Sequence, residues 1–437
     1  MTRKGKTDYA WEALFDKYNL GKQIQRSDYV ELDADTIREF REPRLMTKFD
    51  HRANLPQIFE RNQLAILPLS RSRFALGQFD AYQPVQYSLK HPEVVEFPQH
   101  LSAIDPHNLY SESAALHCAD VTGMVSEVIG EPAQWVLSGR MSSGEFNFRV
   151  RGPSSTQSHR LAITNAQLEI DAGLESNSSV FLVEAKLEAV DDFIIRQLYY
   201  PYRLWQNRVS KTVIPALFTF SNDLFSFFVY RFADSEDYNS IELISARHFV
   251  LSHNAIELDD IIEVLRNSNR ISEPQVPFPQ ADRFSRVVDL LGLLMERDLT
   301  TDEVTLSYGF DARQTYYYAD AAMYLGLVTL QHQKTPSGSE RVIRLTDHAR
   351  NIMGMPYKQK YLAIVRSIVE HGPFGDTLAL YISQSRPPTT DDVVRIMRDN
   401  AVLGIKAETT LRRRAQTVRR WLDWILELTE PTAVGGS

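Results

Sequence analysis

The stretch 166–186, AQLEIDAGLESNSSVFLVEAK, restricts the fold more than any other part of the chain. Residues 166, 168 and 170 are apolar and 167, 169 and 171 polar, the period of a strand with one buried face. Residues 180–183 are apolar without a break and must be buried. A hairpin turning at Asn177 and Ser178 sets Asp171 opposite Glu184 and Glu169 opposite Lys186. Glu184 and Lys186 share a strand face, so four ionisable side chains converge on one side of the sheet.

Such a cluster is costly unless something compensates the carboxylates. A divalent cation held by Asp171, Glu184 and the carbonyl of Ala185 would do so. Oxygen ligands favour Mg²⁺, with Mn²⁺ as a substitute, over zinc. Lys186 beside the ion can orient or help deprotonate an attacking water and stabilise charge on a phosphate under in-line attack. The competing reading of so short a pattern is an ordinary hairpin with a solvated polar face.

With 437 residues, 43% of them hydrophobic, the chain can bury more than one core, and two to four domains are expected. Residues 1–100 read as an α+β region, with strand-like runs at 64–69 and 74–82 broken by prolines. Residues 101–271 read as a mixed α/β unit: helical spacing over 108–129, strands near 135–137, 145–151 and 161–171, the apolar run, and a helix capped by Asp191 or Asp192. Within 272–281, SEPQVPFPQ has three prolines in nine residues and predicts an extended linker. The rest is mainly helical and divides near 354–357 into modules 282–355 and 356–437.

A formal charge of -8, from 48 Lys and Arg against 56 Asp and Glu, excludes a generally basic surface. Basic residues are instead local. Residues 406–420, KAETTLRRRAQTVRR, hold six basic and one acidic side chain. Thr409 or Thr410 can cap that helix, Leu411, Val418, Leu422 and Ile425 give it an apolar stripe, and Arg412, Arg413, Arg419 and Arg420 remain for phosphates. Residues 282–353 show three helical segments and a hairpin, the order of a winged helix-turn-helix. Its third helix begins at Asp311 and carries Arg313, Gln314, Tyr316 and Tyr317 near its start, where side chains reach base edges or phosphates. Ala321, Ala322, Tyr324 and Leu325 look like core. The alternatives are a winged helix used for protein contact and a solvated charged face. Near the start, Arg41, Arg44, Lys48 and Arg52 are candidate phosphate contacts or part of a solvated loop.

The single cysteine, Cys118, and the lack of a Cys/His cluster with zinc spacing point to a reduced compartment without structural zinc. Neither a signal peptide nor an apolar stretch of bilayer length is evident, so a soluble cytosolic protein with no membrane partner is expected.

Glu169-Ile170-Asp171 ending one strand, Glu184-Ala185-Lys186 ending the next and a following helix with Gln197 together resemble the PD-(D/E)XK nuclease superfamily. Ile170 stands where the naming proline would, and Pro201 stands where a Q-x-x-x-Y element would place tyrosine, with Tyr200 and Tyr202 on either side. The likeness runs from about Glu112 to Trp205. It implies an α+β, mixed α/β chain whose nuclease core is a mixed sheet flanked by helices, with an added acidic residue from the preceding helix, Glu112 in preference to Glu127. Together with REPRLMTKFDHRANLPQIF, QTYYYADAAMYLGLV and TTLRRRAQTVRRWLDWI, the whole chain resembles a group of type II restriction endonucleases that join such a core to C-terminal winged-helix modules.

That resemblance implies Mg²⁺-dependent, site-specific hydrolysis of double-stranded DNA. Asp171, Glu184 and Lys186 would act with Glu169 and Gln197, and Asp171, Glu184, Ala185 and Glu112 would hold the metal. It further implies a homodimer, to cut both strands, and a DNA methyltransferase acting in the same system without a stable complex. Two alternatives stay open: a DNA-binding regulator with an inactive nuclease-like domain, and an endonuclease that requires modified DNA.

Overall fold

The computed structural model describes residues 5–27, 29–87, 91–153, 158–307, 312–335, 338–402 and 407–429. The N-terminal part comprises α1 (Lys6–Tyr18), α2 (Leu20–Ser27), β1 (Tyr29–Asp33), α3 (Ala34–Arg38), α4 (Pro43–Thr47), α5 (Gln57–Asn62), β2 (Ala65–Pro68) and β3 (Arg73–Gly77). Its three strands pair in the order β1-β3-β2. Trp11, Leu14, Ile37, Met46, Phe49 and Phe59 close a core against that sheet.

The central part contains β4 (Tyr82–Pro84), β5 (Glu93–Val95), α6 (Glu112–Val121), α7 (Met124–Ile129), β6 (Gln134–Ser142), β7 (Glu145–Arg151), β8 (Ser158–Thr164), β9 (Gln167–Glu175), β10 (Ser179–Lys186), β11 (Asp192–Ile194), α8 (Arg196–Gln206), β12 (Thr212–Ser221), β13 (Leu224–Phe232) and β14 (Ile241–Leu251). Seven of these strands form a mixed sheet in the order β5-β14-β13-β12-β10-β9-β6. β10 and β12 are parallel, with α8 in the crossover between them. The unbroken apolar run follows from this position, because β10 is buried along its whole length. Val180 and Leu182 pack with Leu198 and Tyr199 of α8, while Phe181, Val183 and Ala185 pack with Leu116 of α6 and Met124 of α7.

The β9–β10 hairpin has the expected register, from Val180↔Glu175 to Val183↔Ala172. Its ladder ends there, immediately before Asp171 and Glu184. Beyond that point β9 stays with β6 while β10 stays with β12, and the strands part. Three local expectations change. The strand expected over 161–171 is two strands, β8 and β9, separated at Asn165, which takes a left-handed φ of 54°. The helical stretch 108–129 breaks at Gly123, with φ 82°. Neither Asp191 nor Asp192 caps a helix: Asp192–Ile194 pairs with β4 as β11, and α8 starts at Arg196.

The C-terminal part consists of α9 (Leu258–Asn267), α10 (Phe284–Glu296), β15 (Leu299–Thr300), α11 (Thr301–Ser307), α12 (Ala312–Tyr324), β16 (Val328–Thr335), β17 (Gly338–Leu345), α13 (Asp347–Met353), α14 (Tyr357–Val369), α15 (Gly372–Gln384), α16 (Thr390–Asp399) and α17 (Glu408–Glu427). Three helices followed by a hairpin recur here as α10, α11, α12 and β16–β17, with β15 added alongside β17. One apolar core runs from Ile261 of α9 through Leu290 and Tyr324 to Ile364 and Trp421, continuous across residues 354–357. The proline-rich segment is irregular but packed: Phe278 is buried and stacks on Phe374 at 5.6 Å. Helix α17 starts at Glu408 after an Ala407 N-cap, so Thr409 and Thr410 sit inside its first turn and cap nothing. Its expected apolar stripe is buried.

This C-terminal part is fastened to the central sheet. Arg286 Nη1 of α10 meets Glu188 Oε2 at 2.8 Å with both side chains buried, two residues beyond Lys186. Ser221 Oγ and Asn222 Nδ2 donate to Asp289 Oδ1 at 2.8 and 3.0 Å. Among the described residues no helix is long and apolar enough to cross a membrane.

Candidate active site

The parting of β9 and β10 opens a cleft with about 560 Å³ of water-accessible space between the N-terminal part and the central sheet. Asp171, Glu184 and Lys186 lie in it together with Glu112, Glu169 and Gln197. Asp171 Oδ2 accepts the Ala185 N–H at 2.7 Å, bracing the end of β10 where the ladder has stopped. In a strand the N–H and C=O of one residue leave on the same edge, so the Ala185 carbonyl also faces the Asp171 side. Lys186 Nζ donates to Glu184 Oε1 at 2.5 Å, each residue 9% exposed. Gln197, in the first turn of α8, donates through Nε2 to the same oxygen. Its Oε1 is buried with no donor among the described residues, an orphan that a bound water or ligand would satisfy.

Glu169 departs from the expected arrangement. It pairs across β6 with Arg140, Oε1 to Nε 3.2 Å, instead of opposing Lys186, because β9 follows β6 beyond Asp171. It forms an exposed part of the cleft wall. Glu112 is the first residue of α6, which Ser111 caps by accepting the Ala114 N–H at 3.1 Å, and it opens onto the cleft. Glu127 lies elsewhere, 3.6 Å from Arg247.

The charges in the cleft are not balanced. Burial, with Asp171 and Asp50 adding, pushes the Glu184 carboxyl up to about 7 although Lys186 opposes it. Burial, then Glu112, pushes Asp171 up to about 6. Glu112 is raised too, by burial and by Glu184 against the opposing Lys186, an effect that its exposed side chain reduces through solvent screening. Burial works against the Lys186 ammonium, but Glu184, Asp50, Glu112 and Asp171 outweigh it and keep the group charged. Among the described residues no three His, Cys, Asp or Glu side chains stand together as a ready ion site. Asp171, Glu184 and the Ala185 carbonyl supply three oxygens, and Mg²⁺ ordinarily keeps several waters, so this donor set suits that ion better than one needing an all-protein cage.

A pH dependence follows. Raised carboxyls bind protons more tightly in the folded chain, so their stabilising effect is full below the ordinary value near 4.5 and is lost as pH rises through about 7. A cation that neutralises them should therefore stabilise most at high pH. With Mg²⁺ at about 100 times its Kd, roughly 2.7 kcal/mol is expected at about pH 8 and much less near pH 6, where protons compete. Thermal melts with and without Mg²⁺ at both pH values check this; equal increments would mean that these carboxyls do not bind the ion.

Two of the four expected N-terminal contacts face the cleft. Arg44 and Lys48 line it, joined by Arg38, Arg71, Arg140 and Arg196. Arg41 instead points to Asp302 of α11 at 3.6 Å, and Arg52 to Asp80 at 3.2 Å. Asp50 and the basic residues Arg38, Arg71, Arg140 and Arg196 are not legible as site residues in the sequence; the adjacency of Arg196 to Gln197 is the one available signal. No described residue beyond 281 lines the cleft. On α12, Gln314 is exposed, Tyr317 half-buried, and Tyr316 half-buried with the Arg341 guanidinium 5.6 Å from its ring. Asp311 and the Arg313 side chain lie outside the described residues. Ala321, Ala322, Tyr324 and Leu325 are core, as expected. On α17, Arg412, Arg413, Arg419 and Arg420 are exposed. Arg412 bonds to Asp391 at 2.7 Å and Glu408 at 3.2 Å, Arg419 donates to Thr390 at 3.4 Å, and Arg420 lies 3.9 Å from Asp423.

Three family models match successive stretches of the chain, each described as a domain of unknown function: DUF6996 over residues 8–76, DUF6997 over 77–250 and DUF7226 over 286–430. No curated protein and no solved structure matches it.

Proposed function

We propose that this chain is a Mg²⁺-dependent, site-specific endonuclease that hydrolyses phosphodiester bonds of double-stranded DNA, a type II restriction enzyme of the PD-(D/E)XK superfamily with winged-helix DNA-reading modules. The observation that carries the reading is the meeting of Asp171, Glu184, Lys186 and Gln197 where β9 and β10 separate, in a cleft walled by arginines. A solvated hairpin face would leave these groups in water; here Glu184 and Lys186 are buried and bonded to each other.

Asp171, Glu184 and the Ala185 carbonyl would hold the ion. When bound, Mg²⁺ neutralises charge on the phosphate and acidifies the attacking water. Lys186, kept cationic by its four acidic neighbours, orients that water and stabilises the charge gained by the phosphate. Gln197 fixes Glu184, and Arg44, Lys48 and Arg196 offer cations to the DNA backbone. Cutting both strands calls for two such centres, supplied by a homodimer, and host DNA would be protected by a separate methyltransferase.

The test is incubation with methylated and unmethylated phage DNA plus Mg²⁺, followed by sequencing of fragment ends. A single recurrent end sequence is expected from unmethylated DNA, and none with a chelator. Binding without cleavage on either DNA would favour a regulator, and cleavage of methylated DNA alone a modification-dependent enzyme.

In this reading α17 holds DNA through phosphates. Replacing Arg412, Arg413, Arg419 and Arg420 together by Ala should weaken binding and flatten its salt dependence by about 0.9 for each phosphate no longer neutralised. Arg412 should contribute least, being engaged with two carboxylates. Titrations at several salt concentrations read the slope; an unchanged slope in the folded variant would leave α17 a solvated surface.

A further inference from the structure

We infer that Asp50, contributed by the N-terminal part, is a positioning residue of the candidate active site, acting through Arg196. This rests on the endonuclease reading and deepens it. Asp50 is 2% exposed and borders the cleft. The segment around it is held at three successive residues: Ile194 N–H donates to the Asp50 carbonyl at 2.9 Å, Tyr82 Oη donates to the Phe49 carbonyl at 2.8 Å, and the His51 side chain sets Nδ1 2.5 Å from the Asp192 carbonyl. Residues 49–51 are thereby fixed against β4 and β11, just before α8.

The side chain is held by charge. Asp50 Oδ1 lies 3.5 Å from Arg196 Nη2 and Oδ2 lies 3.4 Å from Lys48 Nζ. Oδ1 has no hydrogen-bond donor among the described residues although it is buried. Arg196 opens α8, and the next residue, Gln197, is the one bonded to Glu184. Restraining Arg196 therefore restrains the turn that orients Glu184.

The carboxylates at this site fall into two kinds. Asp171 and Glu184 lack sufficient positive charge and are pushed up. Burial acts on Asp50 as well, yet Lys48, Lys186, Arg196 and His51 bring it down to about 2. A carboxylate enclosed by cations attracts a further cation less than its neighbours do, so Asp50 serves the basic groups and not a metal.

The full-length chain and its Asp50→Asn and Asp50→Glu variants test this by single-turnover cleavage with Mg²⁺, duplex binding with Ca²⁺ and calorimetric Mn²⁺ binding. Asp50→Asn should cut more slowly by on the order of 100-fold. Its duplex affinity should be equal or tighter, since a negative charge has left the cleft, and its Mn²⁺ affinity should stay within about threefold of the parent. Asp50→Glu should recover part of the rate. A structural defect would lower rate and binding together, and loss of Mn²⁺ binding would make Asp50 a ligand; either overturns the assignment, as does near-parental cutting by Asp50→Asn. If Asp50→Asn does not fold, Arg196→Lys carries the test, since it keeps a cation for the DNA and loses the guanidinium that meets Asp50; slower cutting with duplex affinity kept is expected, and parental cutting overturns the role. A parental chain that binds duplex DNA but never cuts it would sink the endonuclease reading itself.

Discussion

Lys186→Ala is expected to slow cleavage of duplex DNA by about 1000-fold or more while leaving duplex affinity within about threefold. The ammonium is buried against Glu184 and lies where phosphate charge would build, so it contributes to the transition state far more than to binding. The same substitution leaves Glu184 buried without its cation, and a thermal melt has to accompany the kinetics to show the variant folded. A folded variant that cuts at close to the parental rate would remove Lys186 from the active site.

Asp171→Ala should be as severe, for a different reason. Its carboxylate is one of two that would bind the ion, and its Oδ2 also braces the Ala185 N–H at the point where β9 and β10 part. Cleavage should fall by about 1000-fold or more, and the stimulation of DNA binding by Ca²⁺ should disappear with it. Mg²⁺-dependent cleavage at the parental level in this variant would mean that the hairpin carboxylates are not the metal site.

Much of this arrangement is legible in the sequence because it is local. Alternation over 166–171, an unbroken apolar run and a two-residue turn fix the register of β9 and β10 without knowledge of the rest of the chain. The buried stripe of α17 and the core half of α12 follow from helical spacing in the same way. What local pattern does not encode is where a strand changes partners. Alternation alone sets Glu169 beside Lys186, but Glu169 meets Arg140, since β9 remains with β6 after leaving β10. Asp191 and Asp192 resemble a helix cap until pairing with β4 turns the segment into a strand. Asp50 is the largest omission. It lies more than a hundred residues before the hairpin, and only packing of the N-terminal part on β4 and β11 brings it to Arg196.

The joint between parts also has a functional bearing. Glu188 and Asp191, in the segment leading from Lys186 to α8, are bound by Arg286 and Arg283 of the C-terminal part. Helix α10 therefore holds the same connection that carries the proposed catalytic lysine at one end and Gln197 at the other. The cleft receives no described residue from beyond 281, so recognition by the C-terminal part would reach the catalytic groups through this joint.

The most direct measurement is the location of Mn²⁺ by anomalous scattering in crystals of the chain. A single ion is expected, bonded at about 2.0–2.3 Å to carboxylate oxygens of Asp171 and Glu184 and to the Ala185 carbonyl, with water in the remaining positions. An ion bound elsewhere, or a cluster still empty at Mn²⁺ concentrations that support cleavage in solution, would contradict it.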